Sequence, residues 1–101
     1  MERESDIVKS IKDYLEWKKY LFIRNNSGAM KTERGGFIRF GSVGSPDFVV
    51  FLQGGKAIGL EVKTAKGVLS EGQKIWQAKA KELKMKYEVV RSLDELQKIG
   101  L

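Results

Sequence analysis

The sequence contains no cysteine and no histidine, and these two absences exclude several classes of chemistry. Without thiols or imidazoles the chain can form no disulfide, no zinc site built from those ligands, no Ser-His-Asp triad and no Cys-His nucleophile pair. Any catalysis must therefore use carboxylates, lysines and metal ions that prefer oxygen ligands. Mg²⁺ and Mn²⁺, held by Asp, Glu and backbone carbonyl oxygens, are the cofactors that remain open.

Long apolar runs are also missing, and the chain has a single proline. No run approaches the roughly eighteen residues of a membrane span, and the N-terminal segment MERESD is charged rather than signal-like. The 101 residues, 42% of them hydrophobic, suffice for one modest core. We therefore expect one domain over residues 1–101, in the cytoplasm and without a membrane partner.

Positive charge is in excess, with 19 Lys and Arg against 13 Asp and Glu and a formal net charge of +6. A basic surface favours a polyanionic partner such as nucleic acid. Many small basic proteins nevertheless bind no specific partner, so the charge by itself leaves both interpretations open.

Hydrophobic periodicity predicts an α/β fold. Apolar residues at three- and four-residue spacing indicate a helix over residues 4–19, and β-prone runs predict strands at 20–23, 37–40, 48–52, 57–62 and 87–90. Capping boxes at 70–73 and 92–95 predict a helix over 71–84 and a short terminal helix. Residues 25–36 show neither period and are expected to be a loop. The order α-β-β-β-β-α-β-α predicts a central mixed sheet flanked by helices.

The two strands around Gly54-Gly55 should form a hairpin in the middle of the sheet, because both are apolar on both faces. Charged residues lie at its open end. Strand alternation puts Glu61 and Lys63 on one face and Val62 in the core, with Asp47 nearby on the partner strand. Two carboxylates and the Val62 carbonyl would form an oxygen-rich site for a hard divalent cation.

The turn decides whether this site can form. A two-residue turn would pair Asp47 with Val62 and put Asp47 on the face opposite Glu61. A three-residue loop, a bulge, or an Asp47 that leaves the pleat would bring the carboxylates together. Alternatively, Asp47 caps a turn while Glu61 and Lys63 form a solvated pair on an edge strand.

Three motifs resemble the PD-(D/E)xK nuclease superfamily: GSPD at residues 44–47, EVK at 61–63, and SEGQ at 70–73 with Trp76 after it. Within the superfamily the chain is similar to the VRR-NUC group, the virus-type replication-repair nucleases, over nearly its whole length. The resemblance implies a compact restriction-endonuclease-like fold and Mg²⁺- or Mn²⁺-dependent hydrolysis of DNA phosphodiester bonds. Such a cation polarises the scissile phosphate and lowers the pKa of a bound water.

The resemblance also implies roles for single residues. Asp47, Glu61 and the Val62 carbonyl would be metal ligands, and Lys63 would be the catalytic lysine. Gln73 matches the glutamine that opens the helix after the EVK motif, although its part in the capping box is a rival explanation.

The group carries a further glutamate on its first helix, for which Glu4 fits best and Glu2 is the alternative. A carboxylate at a helix start also interacts favourably with the helix dipole, without any metal. Several basic and polar residues flank the route to the site or follow it, and they could contact phosphates or be solvated surface residues. These are Arg24, Asn25, Asn26, Lys31, Arg34, Arg39 and Lys66.

The sequence thus predicts an endonuclease that acts on branched or structured DNA in replication and repair, in a group that includes phage proteins. The small domain offers little surface to a duplex, so we expect a symmetric homodimer that presents two sites. One alternative is a Holliday junction resolvase of a different PD-(D/E)xK group. Others are a non-catalytic basic module that binds nucleic acid by charge, and a structural or phage-assembly protein with an accidental motif.

Overall fold

The computed structural model describes residues 2–25, 28–31, 33–40 and 43–101, and for 28–31 and 37–40 it describes the backbone alone. The helices are α1 (Glu4–Trp17), α2 (Glu71–Glu82) and α3 (Leu93–Lys98). The strands are β1 (Leu21–Arg24), β2 (Gly28–Lys31), β3 (Phe37–Phe40), β4 (Phe48–Leu52), β5 (Lys56–Val62) and β6 (Lys86–Val90). No helix in the described ranges is long and apolar enough to cross a membrane.

Four strands form the central mixed sheet in the order β1-β4-β5-β6. The first three pair antiparallel, while β6 runs parallel to β5. A parallel neighbour requires a crossover, and α2 provides it between β5 and β6. The predicted α/β class, the mixed sheet and the central position of the hairpin are confirmed, in agreement with a restriction-endonuclease-like fold.

One face of this sheet carries the hydrophobic core. Alternate residues of β4 and β5 point to this face and are buried, and α1 and α3 cover them with their own apolar stripes. The core residues are Ile7, Ile11, Leu15, Phe48, Val50, Ile58, Leu60, Val62, Val90, Leu96 and Leu101. Burial of Val62 confirms the alternation expected for the EVK motif.

A three-residue loop closes the β4-β5 hairpin. Gln53–Gly55 forms a turn of 3₁₀ helix in which Gly54 and Gly55 have positive φ, a conformation that glycine adopts without steric cost. Leu52 therefore pairs with Lys56, and the register runs to Phe48 opposite Leu60. This is one of the three arrangements that bring the carboxylates to the same face.

The prediction of a loop over residues 25–36 is wrong, because β2 occupies part of it. β2 pairs with β3 in a second, two-stranded antiparallel sheet. Its sequence GAMK contains no aromatic or β-branched residue, so the strand comes from pairing with FIRF rather than from local propensity. Trp76 of α2 is half-buried, and Leu83, the C-cap residue of that helix, is 80% exposed, so neither belongs to the hydrophobic core, although an apolar face of the helix would predict it.

Candidate active site

The open end of the β4-β5 hairpin brings the two predicted carboxylates together. Continuing the register by one residue from Phe48 and Leu60 puts Asp47 opposite Glu61 on the same face. Oδ2 of Asp47 accepts a hydrogen bond of 2.7 Å from the backbone N–H of Val62. Asp47 is thereby fixed at the strand end by the middle residue of the EVK motif.

Helix α1 adds a third carboxylate. One carboxylate oxygen from each of Glu4, Asp47 and Glu61 lies within 4.8 Å of the others. Glu4 stands in the first turn of α1, which the core stripe of that helix holds against the sheet. Glu2 instead lines a separate cleft beside Lys66 and Arg91, so the structure brings Glu4 and not Glu2 to the cluster.

Glu61 is the most buried member of the cluster, with 1% of its surface exposed. Burial, and then the hydrogen bond and the charge of Asp47, raise the pKa of Glu61 to about 9 from its ordinary value of 4.5. Its Oε1 atom is buried and has no hydrogen-bond donor among the described residues. A buried carboxylate oxygen without a donor is costly, so this atom is suited to bind a cation.

The contacts of Gln73 are compatible with both interpretations that the sequence left open. Its Oε1 atom accepts from the backbone N–H of Ser70 at 2.8 Å, and Ser70 Oγ accepts from the Gln73 N–H, which completes the capping box. Its Nε2 atom meanwhile donates to Oε2 of Glu61 at 3.3 Å. One amide therefore starts α2 and orients the buried carboxylate.

Lys63 lies on the same face as Glu61, two residues along the chain. Its positive charge is close enough to favour the ionised form of Glu61 and so opposes the rise in pKa of that carboxyl. The backbone of Val62 turns its N–H toward Asp47. Since the N–H and C=O of one strand residue face the same neighbour, the Val62 carbonyl lies on this side as well.

The GSPD turn before β4 packs closely on the start of α2. Gly44 has a φ of +83°, and a side chain there would overlap the backbone carbonyl of Gly72. The Asn25 side chain holds the other side of the turn, donating to Ser45 Oγ at 2.6 Å and to the Pro46 carbonyl at 3.0 Å. Asn25, a candidate DNA contact in the sequence, is thus engaged in shaping the turn.

Arg24 stands at the mouth of the site. It lines a cleft of about 410 Å³ together with Glu4, Ser5, Val8 and Asp47. Its guanidinium donates to the Asp47 backbone carbonyl at 2.9 Å and lies 3.7 Å from the Asp47 carboxylate. These contacts of Arg24 help to hold Asp47 in position. Its place in the cleft is also compatible with the predicted phosphate contact.

The other predicted DNA contacts are spread over the surface. Lys66 and Arg34 are exposed, the first in the loop after β5 and the second in the turn between β2 and β3. Lys31 and Arg39 lie on β2 and β3, whose side chains are outside the described residues, and Asn26 is outside them altogether. Their contact with DNA stays a prediction.

Two residues near the site escaped the sequence analysis. Tyr87 on β6 is paired with Gly59, which puts its side chain on the Glu61 face. Arg91 donates to the backbone carbonyls of Thr64 and Gly67 at 2.6 and 2.7 Å and so holds the loop that follows Lys63. Alternation within YEVV predicts that the Tyr87 side chain points to one face of the sheet, but only the register between β5 and β6 shows which face.

The residues present fit a divalent cation. Three carboxylates that converge without a bound cation would repel one another, and no described residue donates a hydrogen bond to Oε1 of Glu61. All the candidate ligands are oxygen atoms, which Mg²⁺ and Mn²⁺ prefer. Glu4, Asp47, Glu61 and the Val62 carbonyl would hold the ion.

Comparison with known families agrees with this geometry. The VRR-NUC domain model matches residues 8–94, a span that includes Asp47, Glu61, Lys63 and Gln73 and begins just after Glu4. Searches of the curated proteins and of the solved structures returned no match. Since the matched span covers most of the chain, the protein belongs to the VRR-NUC domain family and is a nuclease of the PD-(D/E)xK type.

Proposed function

We propose that this chain is a Mg²⁺- or Mn²⁺-dependent endonuclease that hydrolyses phosphodiester bonds in branched or structured DNA. The observation that carries the proposal is the cluster of Glu4, Asp47 and Glu61, in which a buried oxygen of Glu61 has no donor in the part of the chain that the structure describes. Lys63 on the same face completes the set of groups that phosphodiester hydrolysis requires. The match to a nuclease family implies DNA as the substrate and a divalent metal.

Each group in the site has a distinct task in this proposal. A divalent cation, when bound, polarises the scissile phosphate and lowers the pKa of a water ligand. Gln73 and the Val62 N–H hold Glu61 and Asp47 in fixed orientations through the hydrogen bonds described above. The ammonium group of Lys63 neutralises negative charge as it develops on the phosphate oxygens.

The reaction is an in-line displacement at phosphorus. The oxygen of a water molecule forms a bond to phosphorus while the bond from phosphorus to the leaving sugar oxygen breaks. The water loses a proton and the leaving oxygen gains one, so the products are a phosphate monoester and a hydroxyl. The preorganised charges of the site lower the barrier because they are directed at the position where negative charge accumulates.

We further propose that the protein acts as a homodimer in DNA replication or repair. With 101 residues the chain covers little of a duplex, and a twofold arrangement would present two sites to the two strands of a branched molecule. The family match supports a nuclease, and the replication or repair role is inferred from the resemblance of the motifs to the virus-type replication-repair group. Light scattering of the purified protein measures the assembly state directly.

The test of the activity is a cleavage assay on labelled duplex, flap, fork and four-way junction DNA, each with Mg²⁺, with Mn²⁺ and with EDTA. Wild type is compared with Lys63→Ala. Lys79→Ala is the matched control, because it removes the same charge from an exposed position on α2. We expect metal-dependent cleavage by wild type and by the control, and none by Lys63→Ala.

Substrate preference is part of the same experiment. Preference for branched DNA over duplex supports the proposed role, and cleavage confined to four-way junctions would favour a Holliday junction resolvase. Absence of cleavage on every substrate, with DNA binding unaffected by metal or by Lys63→Ala, would leave a basic binding module and contradict the proposal.

A further inference from the structure

A groove outside the carboxylate cluster runs between α2 and β6. Its volume is about 630 Å³. Lysine side chains and a short apolar stretch form most of its wall, with one acidic residue. The lining residues are Lys74, Gln77, Ala78, Lys81, Met85, Lys86, Tyr87 and Glu88. Of the DNA contacts predicted from the sequence, those whose side chains the structure describes do not line it.

The groove is cationic, with three lysines against the single carboxylate of Glu88. Within the described part of the chain, Lys81 and Lys86 form no ion pair with any carboxylate. Lys74 lies 3.6 Å from Glu71, but both side chains are mostly exposed and such a pair contributes little. The lysine charges are therefore available to a polyanion.

The spacing of the lysines matches a nucleic-acid strand. Lys74 and Lys81 are seven residues apart on α2, so they share one face and are separated by about 10.5 Å along the helix axis. One strand of B-DNA carries a phosphate roughly every 3.4 Å along its axis. The two ammonium groups can therefore contact phosphates about three nucleotides apart.

The groove is also adjacent to the candidate active site. Lys74 follows Gln73, whose amide donates to Glu61. Tyr87 lines the groove from β6 and lies on the same face of the sheet as Glu61, opposite Gly59 in the parallel register. A strand held at the carboxylate cluster can thus continue along α2 without crossing the core.

We propose that this groove binds the phosphate backbone of DNA on one side of the scissile phosphate. The proposal rests on the proposed nuclease function and assigns the surface that holds the substrate. Contacts of this kind give affinity and register without reading the base sequence, and they depend steeply on salt.

The test compares two triple variants with the same loss of charge. Lys74→Gln/Lys81→Gln/Lys86→Gln removes the groove lysines, and Lys9→Gln/Lys79→Gln/Lys98→Gln removes three exposed lysines that do not line it. Lys79 is a strict control within α2, because it points about 140° away from Lys74 around the helix. Binding of a fluorescent duplex is measured by anisotropy in EDTA at several salt concentrations.

We expect the groove variant to bind at least about tenfold more weakly and to lose about 2.7 from the slope of log affinity against log salt. The control variant should keep the wild-type slope. Equal losses in the two variants would overturn the groove assignment. Because binding is measured without metal, this outcome is independent of whether wild type cleaves DNA, which is scored separately in the metal-containing assay.

A second inference comes from the hydroxyl of Tyr87. This oxygen is buried and has no hydrogen-bond partner among the described residues, like Oε1 of Glu61. Tyr87 is paired with Gly59 in the parallel register, so its side chain lies on the same face of the sheet as Glu61. A protonated hydroxyl beside a carboxylate is a hydrogen-bond donor to it.

We infer that Tyr87 is a positioning residue that donates a hydrogen bond to Glu61 when this carboxylate holds a cation. Donors behind ligating carboxylates fix their orientation, and their loss typically weakens metal binding by about 10–100-fold. Gln73 holds one Glu61 oxygen, and Tyr87 would support the carboxylate from the β6 side. This inference also rests on the proposed metal site.

Calorimetric titration with Mn²⁺ tests this role without DNA or turnover. Tyr87→Phe should bind Mn²⁺ about 10–100-fold more weakly than wild type, while its melting temperature in EDTA stays the same or rises. Tyr14→Phe is the control, because its hydroxyl donates to the Leu101 carbonyl, remote from the cluster. Equal Mn²⁺ affinity in Tyr87→Phe and wild type would overturn the inference. Failure of wild type to bind Mn²⁺ would contradict the metal site itself.

Discussion

The two faces of the central sheet differ in what their residues do. On the face covered by α1 and α3, residues of β4 and β5 such as Phe48, Leu60 and Val62 are apolar and fully buried. The face toward α2 carries Glu61 of β5 and Asp47, which directly precedes β4. Because successive side chains of a strand point to opposite faces, adjacent residues have different roles: one packs in the core and the next belongs to the candidate active site.

The comparison shows how a small domain can bury a carboxylate. Leu60 and Val62 anchor β5 in the core, so Glu61 between them cannot move toward solvent even though its burial is unfavourable without a cation. Gly59 on the same face leaves room for Pro46, whose ring would lie 3.0 Å from an added Cβ atom. The packing around β5 thus keeps Glu61 buried, although the burial of its carboxylate is unfavourable by itself.

The largest expected effect comes from Glu61→Gln. The substitution keeps the shape of the protonated side chain and removes a metal ligand, so cleavage should fall on the order of a thousandfold or more. At or below about pH 4.5 in EDTA, the free energy of unfolding should change by less than about 1 kcal/mol, because Gln is neutral like the protonated acid. Cleavage rates and urea denaturation check the two parts. A variant that cleaves at the wild-type rate would contradict the assignment.

Leu60→Ala tests the opposite face of the same strand. A fully buried leucine contributes transfer free energy and fills space, so its truncation should lower the free energy of unfolding by about 2–5 kcal/mol. Mn²⁺ affinity of the folded fraction should stay within about threefold of wild type. Urea denaturation and calorimetry at low temperature measure the two. A large loss of Mn²⁺ affinity without a loss of stability would contradict the proposal that the two faces of the sheet have separate roles.

Gly44→Ala tests how the turn before β4 holds Asp47. Gly35→Ala is a matched control, because Gly35 has the same φ of +83° but no described atom lies within 4 Å of an added Cβ. The control should cost about 1–2 kcal/mol for its backbone conformation. Gly44→Ala should cost a further 1–3 kcal/mol or so from overlap with Gly72. Equal costs in thermal or urea unfolding would mean that the turn does not pack tightly on α2.

A pH dependence of stability is also expected for the metal-free protein. With a pKa raised to about 9, Glu61 binds its proton more tightly in the folded state than in the unfolded state, where its pKa is near 4.5. This contribution to stability is complete below about pH 4.5 and is lost as the pH rises through 9. Glu61→Gln should lack it. The measurement is the difference between the two unfolding free energies in EDTA from about pH 5 to pH 9, and a constant difference would contradict the raised pKa.

Much of this architecture could be predicted because local patterns carry it. The alternation in EVK predicted that Val62 lies in the core, and the S-x-x-Q pattern predicted that α2 begins one residue after Ser70. Both features are present in the structure. Gln73 could be predicted as a cap or as an active-site residue, but not as both. The hydrogen bond that its Oε1 atom accepts belongs to the local capping box, but the bond that its Nε2 atom donates to Glu61 becomes visible only when α2 is placed over β5.

What the sequence could not predict depends on long-range pairing. Residues 28–31 form a strand because β3 pairs with them, although their composition favours no strand. The face of Asp47 depended on whether the hairpin loop has two or three residues, and the glycines are compatible with both. Tyr87 and the lysine groove arise from the parallel register of β6 and the position of α2, which no local motif encodes.

The central claim is that Glu4, Asp47 and Glu61 together hold one divalent cation. The most direct test is X-ray diffraction from crystals of the protein soaked in Mn²⁺, with data collected for anomalous scattering. The account predicts an anomalous peak enclosed by these three carboxylates and the Val62 carbonyl, and its loss in Glu61→Gln. A peak at another place on the protein, or no peak at a Mn²⁺ concentration that supports cleavage, would contradict it.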